Sequence, residues 1–198
     1  MKTTVVLLSA LLAFMPFSCF ADELPPQRGL DIVDISFMSL GPAAQRLLEA
    51  REHRDPEIVL HFDSPGGELR TMFAFAALMR HVQLGGTKIT CVVDGMAASA
   101  GLYLLEVCDT RLATPGSVYL AHEVSATLEG KPSDIERASK MMHDLSDVYL
   151  RGIAARLNIS FEELKKRTTD KDYWFSAEEA VQIGAVDRII SREEALQK

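Results

Sequence analysis

The 198-residue chain has no block of lysine or arginine, and its 21 basic side chains are outnumbered by 28 acidic ones, for a formal net charge of −7. A nucleic-acid partner would find no electrostatic footprint here. Internal repeats and low-complexity segments are missing as well, which sets aside repeat arrays and polar tracts. Long apolar runs are limited to residues 5–17, a stretch too short and too close to the N-terminus for a membrane span. Cysteine is scarce, with three residues in all. What is present, 47% hydrophobic residues over this length, suits one sizeable core and is too little for two comfortable domains.

The N-terminus reads as a secretory signal over residues 1–21: Lys2, the apolar run, then Cys19-Phe20-Ala21 with small residues where a signal peptidase inspects the chain. Pro16 and the polar pair Asp22-Glu23 end the apolar segment too early for an uncleaved anchor helix. Pro16-Phe17-Ser18 ahead of Cys19 is also a poor lipoprotein signal. Cleavage after Ala21 leaves a flexible leader, residues 22–29 with Pro25-Pro26, and a single domain over residues 30–198. The expected location is periplasmic or secreted. In that oxidising setting the two remaining cysteines, Cys91 and Cys108, suit a disulfide, because a helix running back along the preceding strand brings them near each other. Two buried free thiols are the other reading of the same residues.

Beyond the leader, strand and helix patterns alternate. Strands are expected over 31–37, 58–62, 88–93, 111–113 and 118–121, and helices over 42–52, 69–82 and 99–107. A long amphipathic helix follows, with Ser133 and Glu136 as its capping box and Ile135, Met142, Leu145, Tyr149 and Ile153 at helical spacing. The same box recurs at Ser160 with Glu163 and at Ser176 with Glu179. This alternation predicts an α/β domain with a mainly parallel sheet and flanking helices.

Ser99 stands out chemically. In Gly95-Met96-Ala97-Ala98-Ser99-Ala100-Gly101 it has an apolar strand before it and a helical segment after it. A serine there can cap the helix, or it can project an activated hydroxyl beside the unpaired amides of the first helical turn. Asp63-Ser64-Pro65-Gly66-Gly67, Val118-Tyr119-Leu120-Ala121-His122 and Asp172-Tyr173-Trp174-Phe175-Ser176-Ala177 complete a set whose order and spacing, over residues 58–190, resemble the proteolytic subunit of the Clp protease.

That resemblance implies the fold shared by these peptidases and the crotonases, with residues 133 onward forming a handle-like helix that packs ring against ring. It also implies a serine-type peptidase acting on peptides or unfolded proteins, with Ser99 as nucleophile, His122 as general base and Asp172 as the carboxylate that orients it. The backbone amides of Gly67 and Ala100 would form the oxyanion hole. No cofactor or metal is implied, and the chain is expected to assemble as a homo-oligomeric ring. Two departures bear on this expectation. An exported chain meets no ATP, which sets aside an ATP-driven unfoldase as partner, and Glu123 stands where the family has glutamine after the histidine.

Three other readings carry different residues or none. Ala98-Ser99-Ala100-Gly101-Leu102-Tyr103 is also similar to signal peptide peptidase A, which pairs serine with lysine; Lys140, or Lys131, would then be the base. Acyl-CoA enzymes of the crotonase type share the fold but have no use for an exported location. A non-catalytic, ring-forming scaffold would need none of these side chains to react.

Overall fold

A computed structural model describes residues 29–33, 35 and 39–198. The expected signal peptide and nearly all of the leader lie outside the described residues. The elements run β1 (Gly29–Ile32), α1 (Gly41–His53), β2 (Glu57–Ser64), α2 (Leu69–Leu84), β3 (Lys88–Ala98), α3 (Ala100–Leu105), β4 (Thr110–Ala113), β5 (Val118–Ala121), α4 (Pro132–Ala154), α5 (Phe161–Thr168), β6 (Tyr173–Ser176), α6 (Ala177–Gln182), β7 (Arg188–Ile189) and α7 (Arg192–Ala195).

The sheet is mainly parallel, in the order β1-β2-β3-β4-β7, with β5 branching from β3 and β6 pairing antiparallel to β5. Alternation along the strands decides which face each side chain serves. Leu60 and Phe62 of β2 with Ile89, Cys91 and Val93 of β3 join the main core beneath α1, α2 and α3. Val59, Val92 and Leu112 point the other way, into a small cluster closed by Ile190 and Ala195. Both faces are covered, as a parallel sheet requires.

β3 organises the site because it does two jobs. Residues 90–93 pair with β4, whereas Met96, Ala97 and Ala98 pair with Val118, Tyr119 and Leu120 of β5. The sequence reading ended this strand at residue 93. Instead the strand continues, and Gly95 lies so close to Asp63 of β2 that an added Cβ would come within 2.4 Å of its carboxylate. Of the strand expected over 31–37, residues 34, 36 and 37 lie outside the described residues; β1 runs to Ile32, and Ile35 bridges to Gly67. The capping box of the long helix needs correction. Ser133 caps nothing: α4 begins at Pro132, whose fixed φ suits a first helical position, and Lys131 is the residue outside it. A further short helix, α7, is capped by Ser191, whose hydroxyl accepts from Glu194 N–H at 3.1 Å.

Cys91 on β3 and Cys108 just beyond α3 are joined in a disulfide, with Cα atoms 6.0 Å apart and a sequence separation of 17. Closing a loop of that size restricts the unfolded chain and contributes about 3 kcal/mol. The double replacement Cys91→Ser, Cys108→Ser is expected to lower unfolding stability by about that much. Urea melts should show the loss, and reductant should reproduce it in the parent chain; melts that do not respond to reductant would remove the bond from the account.

Buried Arg111 clamps β4 to the end of α6. Its guanidinium pairs with the Glu106 carboxylate, donates to the Gly184 carbonyl at 2.7 Å and reaches Asp187 Oδ1 at 2.8 Å. Burial pushes Glu106 from its ordinary 4.5 up to about 8, against the pull of Arg111. The folded chain thus holds a proton that the unfolded chain releases. This contribution to stability is complete below 4.5 and is lost as pH climbs through about 8. Unfolding free energy should fall across that window. Glu106→Gln, neutral at every pH, should flatten the decline; an equally steep decline in the variant would place its origin elsewhere.

Candidate active site

Ser99 sits at the junction of β3 and α3 with φ 52° and ψ −122°, a conformation that non-glycine residues seldom adopt. Its N–H donates to the Leu120 carbonyl at 2.9 Å, fastening the turn to β5. Its side chain makes no capping bond to α3. Of the two roles open to it in the sequence, capping is therefore not the one it plays. Instead its Oγ lies 2.7 Å from His122 Nε2. The β3–β5 pairing causes this meeting, since Ser99 follows Ala98, Ala98 pairs with Leu120, and His122 lies two residues further along.

Gly67 and Ala100 line the same cavity as Ser99 and His122. Ala100 opens α3, so its N–H has no acceptor within the helix. Gly67 faces Ile35 in the parallel bridge, where Ile35 N–H donates to Gly66 O at 3.0 Å and Glu68 N–H to Ile35 O at 2.7 Å. When the flanking residues make those bonds, the amide of Gly67 itself points away from Ile35. Glycine is required here on two counts. Gly66 and Gly67 have φ of 110° and 150°, and a Cβ on Gly67 would lie 2.3 Å from the Ile35 carbonyl oxygen.

These groups line one cavity of about 180 Å³, together with Glu68, Leu69, Met72, Glu123, Val124, Ser125 and Tyr149. Beyond His122 the chain is held against α4 by a bond from Val124 N–H to Ser146 Oγ, 2.9 Å. Tyr149, one turn further along α4, is a member of the site that the sequence reading treated only as part of an apolar helix face. Its hydroxyl is buried without a hydrogen-bond partner. Burial raises its pKa above the ordinary 10, and the nearby Ser99 hydroxyl offsets part of that rise although the two are not in hydrogen-bonding geometry.

Asp172 is not brought into contact. It immediately precedes β6, whose Tyr173 pairs with Ala121, so it stands across from His122; yet its side chain is exposed and makes no hydrogen bond to the imidazole. The loop before it is tied instead to Glu123, whose Oε2 accepts from Asp170 N–H at 3.4 Å. Lys131 and Lys140 are exposed on and beside α4, and neither lines the cavity with Ser99.

A serine hydroxyl within hydrogen-bond distance of an imidazole, on a strained turn from strand to helix, is the pattern of the serine-type hydrolases as a class. Comparison with known proteins narrows this further. Residues 42–193 match the Clp protease family. The chain is 32% identical over 151 residues to the ATP-dependent Clp protease proteolytic subunit 3 of Synechococcus sp. (strain CC9605), covering 75% of this chain and 74% of that one. It is likewise 32% identical over 149 residues to the ATP-dependent Clp protease proteolytic subunit 1 of Streptomyces avermitilis, covering 74% and 67%. The chain belongs to the Clp protease family and is a serine-type peptidase.

Proposed function

We propose that this chain is an exported serine endopeptidase that cuts peptides or already unfolded proteins. The observation that carries this reading is the 2.7 Å approach of Ser99 Oγ to His122 Nε2 on a strained turn flanked by free amides. His122 takes the hydroxyl proton as Ser99 attacks the scissile carbonyl, then returns it to the leaving amine. The tetrahedral oxyanion is received by the N–H groups of Gly67 and Ala100, each worth about 3 kcal/mol to such a transition state. Asp172 completes the triad by fixing the imidazole tautomer, which requires its exposed loop to move against His122.

Assembly into a homo-oligomeric ring is the event that brings the loop in, because the N-terminal half of α4 leaves apolar side chains uncovered. Met141 is 56% exposed and Ile135 38%. The relatives' names carry "ATP-dependent", but an exported chain has no ATP at hand, so it works without an ATP-driven unfoldase. A fluorophosphonate probe tests the chemistry directly: it should attach to the intact protein, and peptide mapping should place the adduct on Ser99. An adduct on another serine, or none, would overturn the reading. Export is tested separately by the N-terminus of the secreted or periplasmic protein, expected at Asp22.

A further inference from the structure

The loop that carries Asp172 is closed on itself by side chains that the proposed chemistry does not use. α5 ends at Thr168 and β6 begins at Tyr173, so residues 169–172 span the gap between them. Arg167, in the last turn of α5, reaches across that gap: its Nη1 donates to the Tyr173 hydroxyl, and its guanidinium carbon lies 5.0 Å from the centre of the Tyr173 ring. The hydroxyl in turn donates to Glu179 Oε1 of α6 at 2.6 Å, while Glu163 Oε1, one turn back along α5, accepts from Arg167 Nε at 2.8 Å. Burial, and after it the bond to Glu179, push the Tyr173 hydroxyl up to about 12, so it keeps its proton and donates while it accepts. Both ends of the loop and α6 thus meet at one phenol.

Tyr173 is also well anchored beside the site. Its backbone pairs with Ala121, the residue before His122, and its ring packs on Phe175 with centroids 5.0 Å apart, which in turn stacks on buried Tyr119 at 5.2 Å. The other end of the loop is pinned as well, since Thr169 N–H and Oγ1 both donate to the Lys165 carbonyl, at 2.9 and 2.8 Å. A segment whose ends are joined has fewer arrangements open to it than one whose ends are free.

We infer that Arg167 and Tyr173 are positioning residues, which hold the two ends of the 169–172 loop together and so confine the Asp172 carboxylate to arrangements within reach of His122. This rests on the reading of Asp172 as the third member of the triad. A carboxylate that orients the imidazole for only part of the time contributes in proportion to that fraction, so a loop freed from its closure lowers turnover without any change at the reacting atoms.

The test is a double-mutant cycle in the full-length protein, comparing the parent with Arg167→Ala, Asp172→Asn and the two combined. Peptide hydrolysis is measured together with the rate at which the fluorophosphonate probe, in excess, labels Ser99, so that slow variants are still read. Arg167→Ala should lower kcat about tenfold, the effect of one lost hydrogen bond to a charged group, with KM little changed because no substrate contact is removed. Tyr173→Phe should act in the same direction but more weakly, since Arg167 Nη1 and Glu179 Oε1, 3.5 Å apart, still pair. It keeps the ring, and it carries the same cycle if Arg167→Ala does not fold. In the Asp172→Asn background neither change should lower the rates further, because the carboxylate being positioned is gone. A merely structural role would slow both backgrounds by the same factor. Equal factors in the two backgrounds, or no effect in either, overturn this inference and leave the triad standing. Full activity in Asp172→Asn removes Asp172 from the triad, and a parent protein with neither labelling nor hydrolysis removes the peptidase reading; each takes this inference with it.

Discussion

Ser99→Ala is expected to lower peptide hydrolysis by about a millionfold and to abolish fluorophosphonate labelling, with folding and assembly retained. The substitution removes a single oxygen, and that oxygen makes no structural bond, since its contact is His122 rather than the amides of α3. Alanine at this position still has to adopt φ 52°, so the strain in the turn persists and the change in stability stays small. His122→Ala should be nearly as severe, because nucleophile and base act as one unit and losing either disables both. Residual activity of the double variant should match that of either single variant. Peptidase assays at one protein concentration, with circular dichroism to verify folding, are sufficient. Undiminished hydrolysis by Ser99→Ala would remove it as nucleophile; survival of activity in His122→Ala, with rates rising toward alkaline pH, would point to a lysine as base.

Aspartate at Met142 and Leu145 is expected to lower both the sedimentation coefficient and the peptidase rate, the latter by about a hundredfold. Both residues lie on α4 in the stretch between its uncovered N-terminal half and the buried Ser146 and Tyr149. Met142 shares a groove with Leu128, Ser139 and His143, next to the segment that follows His122. Packing a second subunit over this surface would press on the segment held by the Val124–Ser146 bond and on the loop carrying Asp172. A misplacement of about 1 Å in a catalytic group is enough to cost two orders of magnitude. Circular dichroism must show a folded subunit for the comparison to count. A folded monomer with full activity would break the link between assembly and catalysis.

Much of this arrangement is legible in the residues themselves. Polar side chains at the ends of short apolar strands, Ser99 after Ala97-Ala98 and His122 after Leu120-Ala121, advertise a site at one edge of a sheet. Small residues around Ser99 and the Gly66-Gly67 pair announce the close backbone approach that the Ile35 bridge requires. The disposition of Asp172 is less visible, because strand pairing decides which residue faces His122, while the reach of its carboxylate depends on a loop whose conformation no local pattern dictates. β6 itself is only four residues long and its aromatic run is followed at once by a helix cap, so its antiparallel pairing leaves little periodic trace. Tyr149 was hidden for the opposite reason. At helical spacing with Leu145 and Ile153 it reads as core, which it is, and the pattern does not reveal that this core residue also lines the cavity with Ser99.

The covalent link between Cys91 and Cys108 has a consequence for the protein's own survival. Any peptidase is exposed to attack on its own opened form, and the turn bearing Ser99 holds a backbone conformation that non-glycine residues seldom adopt. Both flanks of that turn are anchored to each other through sulfur, so it cannot peel away as a long free segment. Local opening offers little extended backbone to a neighbouring active site, and self-digestion must wait for the rare opening of the whole domain. The bond thereby limits how far the chain around the nucleophile opens before the whole domain does.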